Sequence, residues 1–255
     1  MKHHMGWKPD KADHQDHHYG NRLYLREAMA TLPKSVDLRD HCPPPYDQGQ
    51  LGSCTSNAIA GALEFDQIKQ GEKNATPSRL FIYWNERDME GSVSEDAGAE
   101  IRDGIKSVAQ QGACPESLWP YDIDKFTVQP PRSCYTDAMN HQALAYQRIT
   151  AGNLNEMKTC LAAGFPFVFG FTVYESFESE QVASTGIMPM PKRGEQILGG
   201  HAVMAVGYDD STQRLLVRNS WGTSWGQGGG YFVMPYGYLT KAKLTDDFWT
   251  IRRVE

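Results

Sequence analysis

Residues 47–54, Asp47-Gln48-Gly49-Gln50-Leu51-Gly52-Ser53-Cys54, form a loop with two glycines that runs through a cysteine into Ala58-Ile59-Ala60-Gly61-Ala62-Leu63. Ser53 reads as a helix cap, which places Cys54 at the first helical position. There the unpaired backbone N–H groups and the positive end of the helix favour a thiolate over a thiol. A free cysteine is ordinarily a small core residue, and Cys54 alone would be read that way. Two further segments change the reading. Gly199-Gly200-His201 heads an apolar strand, Ala202-Val203-Met204-Ala205-Val206, and Leu215-Leu216-Val217-Arg218 leads into Asn219-Ser220-Trp221-Gly222. A cysteine at a buried helix start, with a histidine available elsewhere in the chain, reads as a nucleophile.

On Gln48, Cys54, His201, Asn219 and Trp221, four separated motifs in one order, the chain resembles the papain-like cysteine peptidases from about Ser35 to its end. His201 and Asn219 follow Cys54 by 147 and 165 residues. The family's local pattern is Cys-Gly-Ser/Ala-Cys-Trp/Tyr, whereas this chain has Leu51-Gly52-Ser53-Cys54-Thr55. The first cysteine is missing, and with it a disulfide that members usually carry. Thr55 replaces the aromatic, which alters packing but no reacting group.

The resemblance implies an α+β fold of two lobes, one helical and one an antiparallel β-barrel-like lobe, with the active site in the cleft between them. It implies peptide hydrolysis, without metal or other cofactor. His201 takes the Cys54 proton, Asn219 holds the imidazole and Trp221 shields that hydrogen bond from water. The Gln48 side-chain NH2 and the Cys54 backbone N–H receive the oxyanion. Gly52, Gly98, Gly200, Ala202, Gly170 and Trp221 are expected to line the substrate side. Ala99 stands where members usually have a second glycine. Ala202 and Gly170 border the pocket for the residue preceding the cleaved one, and their small size would admit a bulky apolar group. Two other functions use the same scaffold: an acyltransferase or transglutaminase-like enzyme, or a non-catalytic binding protein. The joint presence of Cys54, His201, Asn219 and Gln48 disfavours the second.

The 255 residues, 40% hydrophobic and 22% charged, suit one large domain or two lobes. A net charge of −6 argues against nucleic-acid binding. No apolar run reaches the roughly 18 residues of a membrane span, and no signal peptide is visible, which leaves the compartment open. A monomer acting on polypeptides is expected. Besides Cys54 there are Cys42, Cys114, Cys134 and Cys160, which allow three pairings of two bridges. Cys160 reads instead as a free core thiol on a helix. Asn74-Ala75-Thr76 matches a glycosylation sequon, to which a chain without a secretion signal gives little meaning.

Residues 1–34 form an N-terminal extension, and residues 35–255 the peptidase domain. The extension is polar and irregular, and its Gly6-Trp7-Lys8-Pro9-Asp10 and Asp13 resemble the short N-terminal segment of bacterial papain-like peptidases, in place of the usual helical propeptide. Met1 to Met5 read as a remnant of expression. His3, His4, His14, His17 and His18 read as a solvated tail rather than a metal site. With Trp7 and Tyr19 as its anchors, the extension is expected to fold back over the groove as a tethered blocker of modest affinity. In the domain, helices are predicted over 54–70, 78–90 and 96–111. A loop region follows at 119–131, then a capping box, Asn153 to Glu156, opening a short helix. Strands begin at Pro166, run through His201 and Asn219, and end near residues 250–254.

Overall fold

A computed structural model describes residues 3–21, 32–72 and 75–254. Residues 22–31 of the extension and Asn74 of the sequon lie outside the described residues.

Three helices make the first lobe: α1 (Cys54–Gln70), α2 (Arg79–Met89) and α3 (Ile101–Gln110). Helix α1 is buried from Cys54 through Gln67, as a run with almost no polar face requires. Helix α2 is capped by Ser78, whose Oγ accepts the Phe81 N–H at 3.1 Å. Helix α3 buries Ile101, Ile105 and Val108 but starts later than its periodicity predicts. The residues before it form a strand, Ala99–Glu100, which pairs in parallel with Trp7–Lys8 of the extension. Asn153 caps a helix over Leu154–Ala162, its Oδ1 accepting the Glu156 N–H at 3.2 Å, but the other half of the predicted box differs: Glu156 accepts from the Asn153 side-chain amide at 2.8 Å, while the Asn153 backbone N–H goes to Thr150. Among the described residues no helix is long and apolar enough to cross a membrane.

Numbering the strands in chain order, β1 is Trp7–Lys8, β2 Ser35–Asp37, β3 Ala99–Glu100, β4 Ala143–Ile149 and β5 Phe167–Tyr174. The rest are β6 (Ile197–Asp209), β7 (Arg214–Arg218), β8 (Tyr231–Pro235) and β9 (Thr245–Val254). The second lobe is an antiparallel sheet in the order β4-β9-β5-β6-β7-β8, with β2 paired to β6. It does not close into a barrel. Its period of two divides the core. Phe167, Phe169 and Phe171 of β5 and Val203 and Ala205 of β6 pack on one face with Phe177, Phe232 and Phe248. Val168, Ala202, Met204 and Val206 turn to the other face, where α1 lies. His201 and Ala202 thus project from adjacent positions to opposite sides of β6, at the border of the two lobes. All five cysteines are free thiols, and Cys160 is buried as expected.

The extension packs against both lobes. Trp7 and Tyr19 are buried as predicted, but they are not its only anchors. Asp16 meets Arg102 at 2.7 Å and Arg148 at 3.0 Å. Asp10 accepts from the Arg102 N–H at 3.0 Å and the Trp249 indole at 3.0 Å. Burial works against the Asp16 charge, yet the two guanidinium groups hold its carboxyl below the usual range. Breaking a buried pair of this kind costs about 3–5 kcal/mol, so the docking is stronger than two aromatic anchors suggest.

One backbone crossing beside the helical lobe admits no side chain. Gly112 has φ +75° and closes α3, and a Cβ there would lie 1.7 Å from the Ala138 carbonyl oxygen. Gly112→Ala should destabilise the protein by about 2 kcal/mol or more, read as a lower urea midpoint. An unchanged midpoint would show that this crossing is looser than described.

Candidate active site

Cys54 is the first residue of α1 and fully buried. Ser53 does not cap the helix through its side chain. Its Oγ lies 2.5 Å from the Tyr121 hydroxyl instead. Tyr121 also donates to the Gln48 carbonyl at 3.0 Å, which ties the two ends of the loop together. Arg79, stacked on Tyr121 with its guanidinium carbon 4.0 Å from the ring centroid, donates to the Asp47 carbonyl at 3.1 Å. Neither Tyr121 nor Arg79 was signalled by a local pattern in the sequence. Thr55 donates at 2.7 Å to Glu86, a carboxyl that burial pushes well above its ordinary pKa. The residue in the aromatic's place therefore bonds to a buried carboxyl under the helix.

The Gln48 side chain is fixed at both ends. Its Oε1 lies 2.7 Å from the Ser220 hydroxyl. Its Nε2 donates to two carbonyls, Leu51 at 2.9 Å and His4 at 3.1 Å. Two carbonyl acceptors identify that atom as the amide nitrogen.

His201 Nε2 lies 2.8 Å from Asn219 Oδ1. The same oxygen accepts the Ser220 backbone N–H at 2.9 Å, which settles which end of the amide faces the ring. Nε2 must therefore carry the hydrogen, and the neutral ring keeps its lone pair on Nδ1. Nδ1 is buried and has no hydrogen-bond partner among the described residues. Trp221 stacks on the imidazole, with centroids 4.8 Å apart and planes at 24°.

The backbone N–H groups of Ala202 and Gly6 reach the Cys54 sulfur. The extension thus runs through the site. His3 stacks on the far side of Trp221 at 3.8 Å, and His4 pairs with Asp96 at 2.6 Å, so these two histidines are not the solvated tail their sequence suggests. Gly6 lies against Gly52 and Gly98. Gly98 has φ +68°, and a Cβ on it would meet the Gly6 carbonyl oxygen at 2.0 Å. Ala99, despite its side chain, donates its N–H to that carbonyl at 2.7 Å. The Trp7 indole covers Gly170 and Gly200. Gly52, Gly98, Gly170, Gly200, Ala202 and Trp221 are therefore gathered around one strand of chain. Asp96 and Asp247, which bond to it, went unread, because a lone aspartate carries no spacing signal.

Burial dominates the electrostatics. It pushes the Cys54 thiol up to about 11 and the His201 imidazole down to about 4, the latter against the Asn219 bond. With the extension in place both groups are neutral at pH 7. A thiolate–imidazolium pair has no water to support it there.

The chain matches the model of the papain family of cysteine proteases over residues 32–249. It is 49% identical over 234 residues to the uncharacterized peptidase C1-like protein L477 of Acanthamoeba polyphaga mimivirus, covering 89% of this chain and 73% of that one. It is 30% identical over 219 residues to cathepsin L of Sarcophaga peregrina, covering 81% of this chain and 60% of that one. Among solved structures, xylellain, a cysteine protease from Xylella fastidiosa, superposes with a TM-score of 0.90 at 42% identity, over 100% of this chain and 97% of that one. The procathepsin B S9 of Trypanosoma congolense shares the fold, with a TM-score of 0.76 at 19% identity. With the family's model matched along most of its length, this chain belongs to the papain family of cysteine proteases and is a papain-like cysteine peptidase, a hydrolase.

Proposed function

We propose that the chain hydrolyses peptide bonds through Cys54, His201 and Asn219, with Gln48 as oxyanion donor, and that residues 1–34 block the cleft until displaced. The observation that carries this reading is the His201 tautomer. Asn219 Oδ1, held by Ser220, keeps the hydrogen on Nε2 and leaves Nδ1 free to accept a proton. Once the extension leaves and water enters, His201 Nδ1 takes the proton of the Cys54 thiol. The thiolate attacks a substrate carbonyl, and the C=O electron pair moves onto oxygen. Gln48 Nε2, which holds the His4 carbonyl in the covered state, and the Cys54 backbone N–H receive that charge. The tetrahedral centre collapses, the C–N bond breaks, and His201 gives its proton to the departing amine. Water, deprotonated by His201, then cleaves the thioester and returns the thiol.

The blocking role is supported by the occupancy of each of these places. A carbonyl already sits on Gln48, an N–H already faces the sulfur, and an indole already fills the Gly170–Gly200 pocket.

Cys54→Ala should abolish turnover of a peptide substrate in a folded protein. Gln48→Ala should lower kcat by about 10²–10³ with little change in KM. Turnover by folded Cys54→Ala would exclude the nucleophile, and a loss confined to KM would make Gln48 a binding residue only.

In the full-length chain His201 should remain neutral, with an imidazole NMR titration midpoint well below the ordinary 6.5 and near 4. A midpoint at or above 6.5 would mean that the extension does not dry the site.

Asp16→Asn combined with Trp7→Ala should raise the rate of Cys54 alkylation by at least about tenfold, through loss of the buried pairs and the indole anchor. An unchanged rate in a variant whose melting temperature is preserved would reduce the extension to a structural brace.

A further inference from the structure

Two of the five thiols share one buried cluster. Cys114, just beyond α3, is fully buried, and Cys134, on the short helix Arg132–Ala138, is 1% exposed. Phe81 of α2 and Ala138 pack with them, and Trp119 and Tyr135 lie at the edge. The two side chains meet: the Cys134 sulfur is in hydrogen-bond contact with the Cys114 thiol, and it donates to the Leu118 carbonyl at 4.0 Å. The other three sulfurs meet oxygen or nitrogen instead. Cys42 lies 3.5 Å from the Leu38 carbonyl and Cys160 3.5 Å from that of Phe165, while Cys54 faces the N–H groups of Ala202 and Gly6. Among the described residues the fold brings one cysteine pair together.

The chain between the two cysteines, which stand 20 residues apart, is a strap laid against the starts of α1 and α2. At its beginning the Cys114 carbonyl accepts the Ser78 N–H at 2.7 Å. Further on, the Trp119 carbonyl accepts from the Ser78 hydroxyl at 2.6 Å, and Tyr121 reaches both Ser53 and the Gln48 carbonyl in the loop before Cys54. Beyond Tyr121 the strap crosses the surface through a turn over Ile123–Lys125, with Ile123 and Val128 exposed. A surface segment with little buried apolar contact opens easily unless its ends are held. Two thiols in contact offer only a weak hydrogen bond for that purpose. A covalent bond at the same place removes the freedom of the whole loop from the unfolded chain.

We propose that Cys114 and Cys134 are joined by a disulfide in oxidising surroundings, as a clasp that closes the strap carrying Tyr121. The oxidant is a small disulfide, such as oxidised glutathione. One thiolate of the pair attacks a sulfur of that disulfide, a glutathione thiolate leaves, and a mixed disulfide forms. The second thiolate of the pair attacks the protein sulfur of the mixed disulfide, and the second glutathione thiolate departs. Two electrons pass to the oxidant, which becomes two glutathione thiols carrying the two cysteine protons. Burial holds the Cys114 thiol above its ordinary range in the folded chain, so the exchange runs during folding, before the cluster closes. Once made, the bond is shielded by the same burial from external thiols.

The test uses the full-length chain with Cys54→Ala, which removes the nucleophile from the exchange. The protein is refolded from urea in oxidised and reduced glutathione, its remaining thiols are alkylated, and a non-reducing digest is mapped by mass spectrometry. A bridge between Cys114 and Cys134 should dominate, with Cys42 and Cys160 alkylated. The oxidised protein should melt about 5 °C or more above the same protein fully reduced. Reduced glutathione should leave the bridge intact in the folded protein and break it once urea is added. Cys134→Ala should abolish the bridge, whereas Cys160→Ala should leave it in place. Should Cys54→Ala fail to fold, the unaltered chain yields the same map and the same comparison of melting. A dominant bridge between other cysteines, glutathione retained on Cys114 or Cys134, or an oxidised form no more stable than the reduced one overturns the inference. So does a bridge reduced as quickly in the folded chain as in urea. None of these readouts uses turnover, so the result stands apart from the peptidase roles proposed above.

Discussion

The close approach of α1 to strands β6 and β7 fixes the rest of the site. Small residues make it possible: a Cβ on Gly61 would stand 2.8 Å from the Arg218 guanidinium, and Ala58 and Ala62 share the same buried cluster with Ala202 and Met204. Because the helix lies this close, the N–H of Ala202 reaches the sulfur at the helix start. Arg218 extends the constraint to the Gln48 side. It is buried at the end of β7, one residue before Asn219, and donates to the Pro43 and Pro44 carbonyls at 3.2 and 2.6 Å. The turn that delivers Gln48 is thereby bolted to the strand that delivers Asn219, and Ser220 closes the link on Gln48 itself at 2.7 Å.

The same tight packing accounts for the neutral state of the covered site. Cys54 and His201 are fully buried, with Trp221 stacked on the imidazole and His3 stacked on Trp221 in turn. Desolvation then opposes both the thiolate and the imidazolium, and it outweighs the backbone N–H groups that favour the thiolate. In the proposed scheme the extension silences the cysteine twice, by filling the groove and by removing the solvent that its ionisation needs.

What could be read from the sequence was local. The Gly-rich loop into Cys54, His201 at the head of an apolar strand and the glycines around Trp7 each carry their signal within a few residues. Strand β4 was missed because only its two end residues, Ala143 and Ile149, are fully buried, so no clean alternation marks it. The beginning of β9 was missed because Thr245-Asp246-Asp247 reads as a polar turn. The ion cluster was invisible for a different reason. Asp10 and Asp16 look like a solvated tail until Arg102 and Arg148, some ninety and more residues away, come into contact with them. No window on the chain contains both partners. The anchors of the extension beyond Trp7 and Tyr19 are of this kind.

Chain direction explains how a peptide can lie in such a site without being an ordinary substrate. In the proposed reaction the residue in the Gly170–Gly200 pocket precedes the carbonyl that is attacked. In the extension the order is reversed: Trp7 fills the pocket, and the carbonyl held by Gln48 belongs to His4, which comes before it in the chain. Pairing of β1 with β3 in parallel fixes that direction. As a result Cys54 faces the Gly6 N–H, a hydrogen-bond donor, where a substrate running the other way would present an electrophilic carbon. The extension can therefore use the donors and the pocket of the cleft to bind while offering no carbonyl carbon in line with the sulfur. Its affinity then comes from the places that recognise a substrate, and its persistence from the direction in which it enters them.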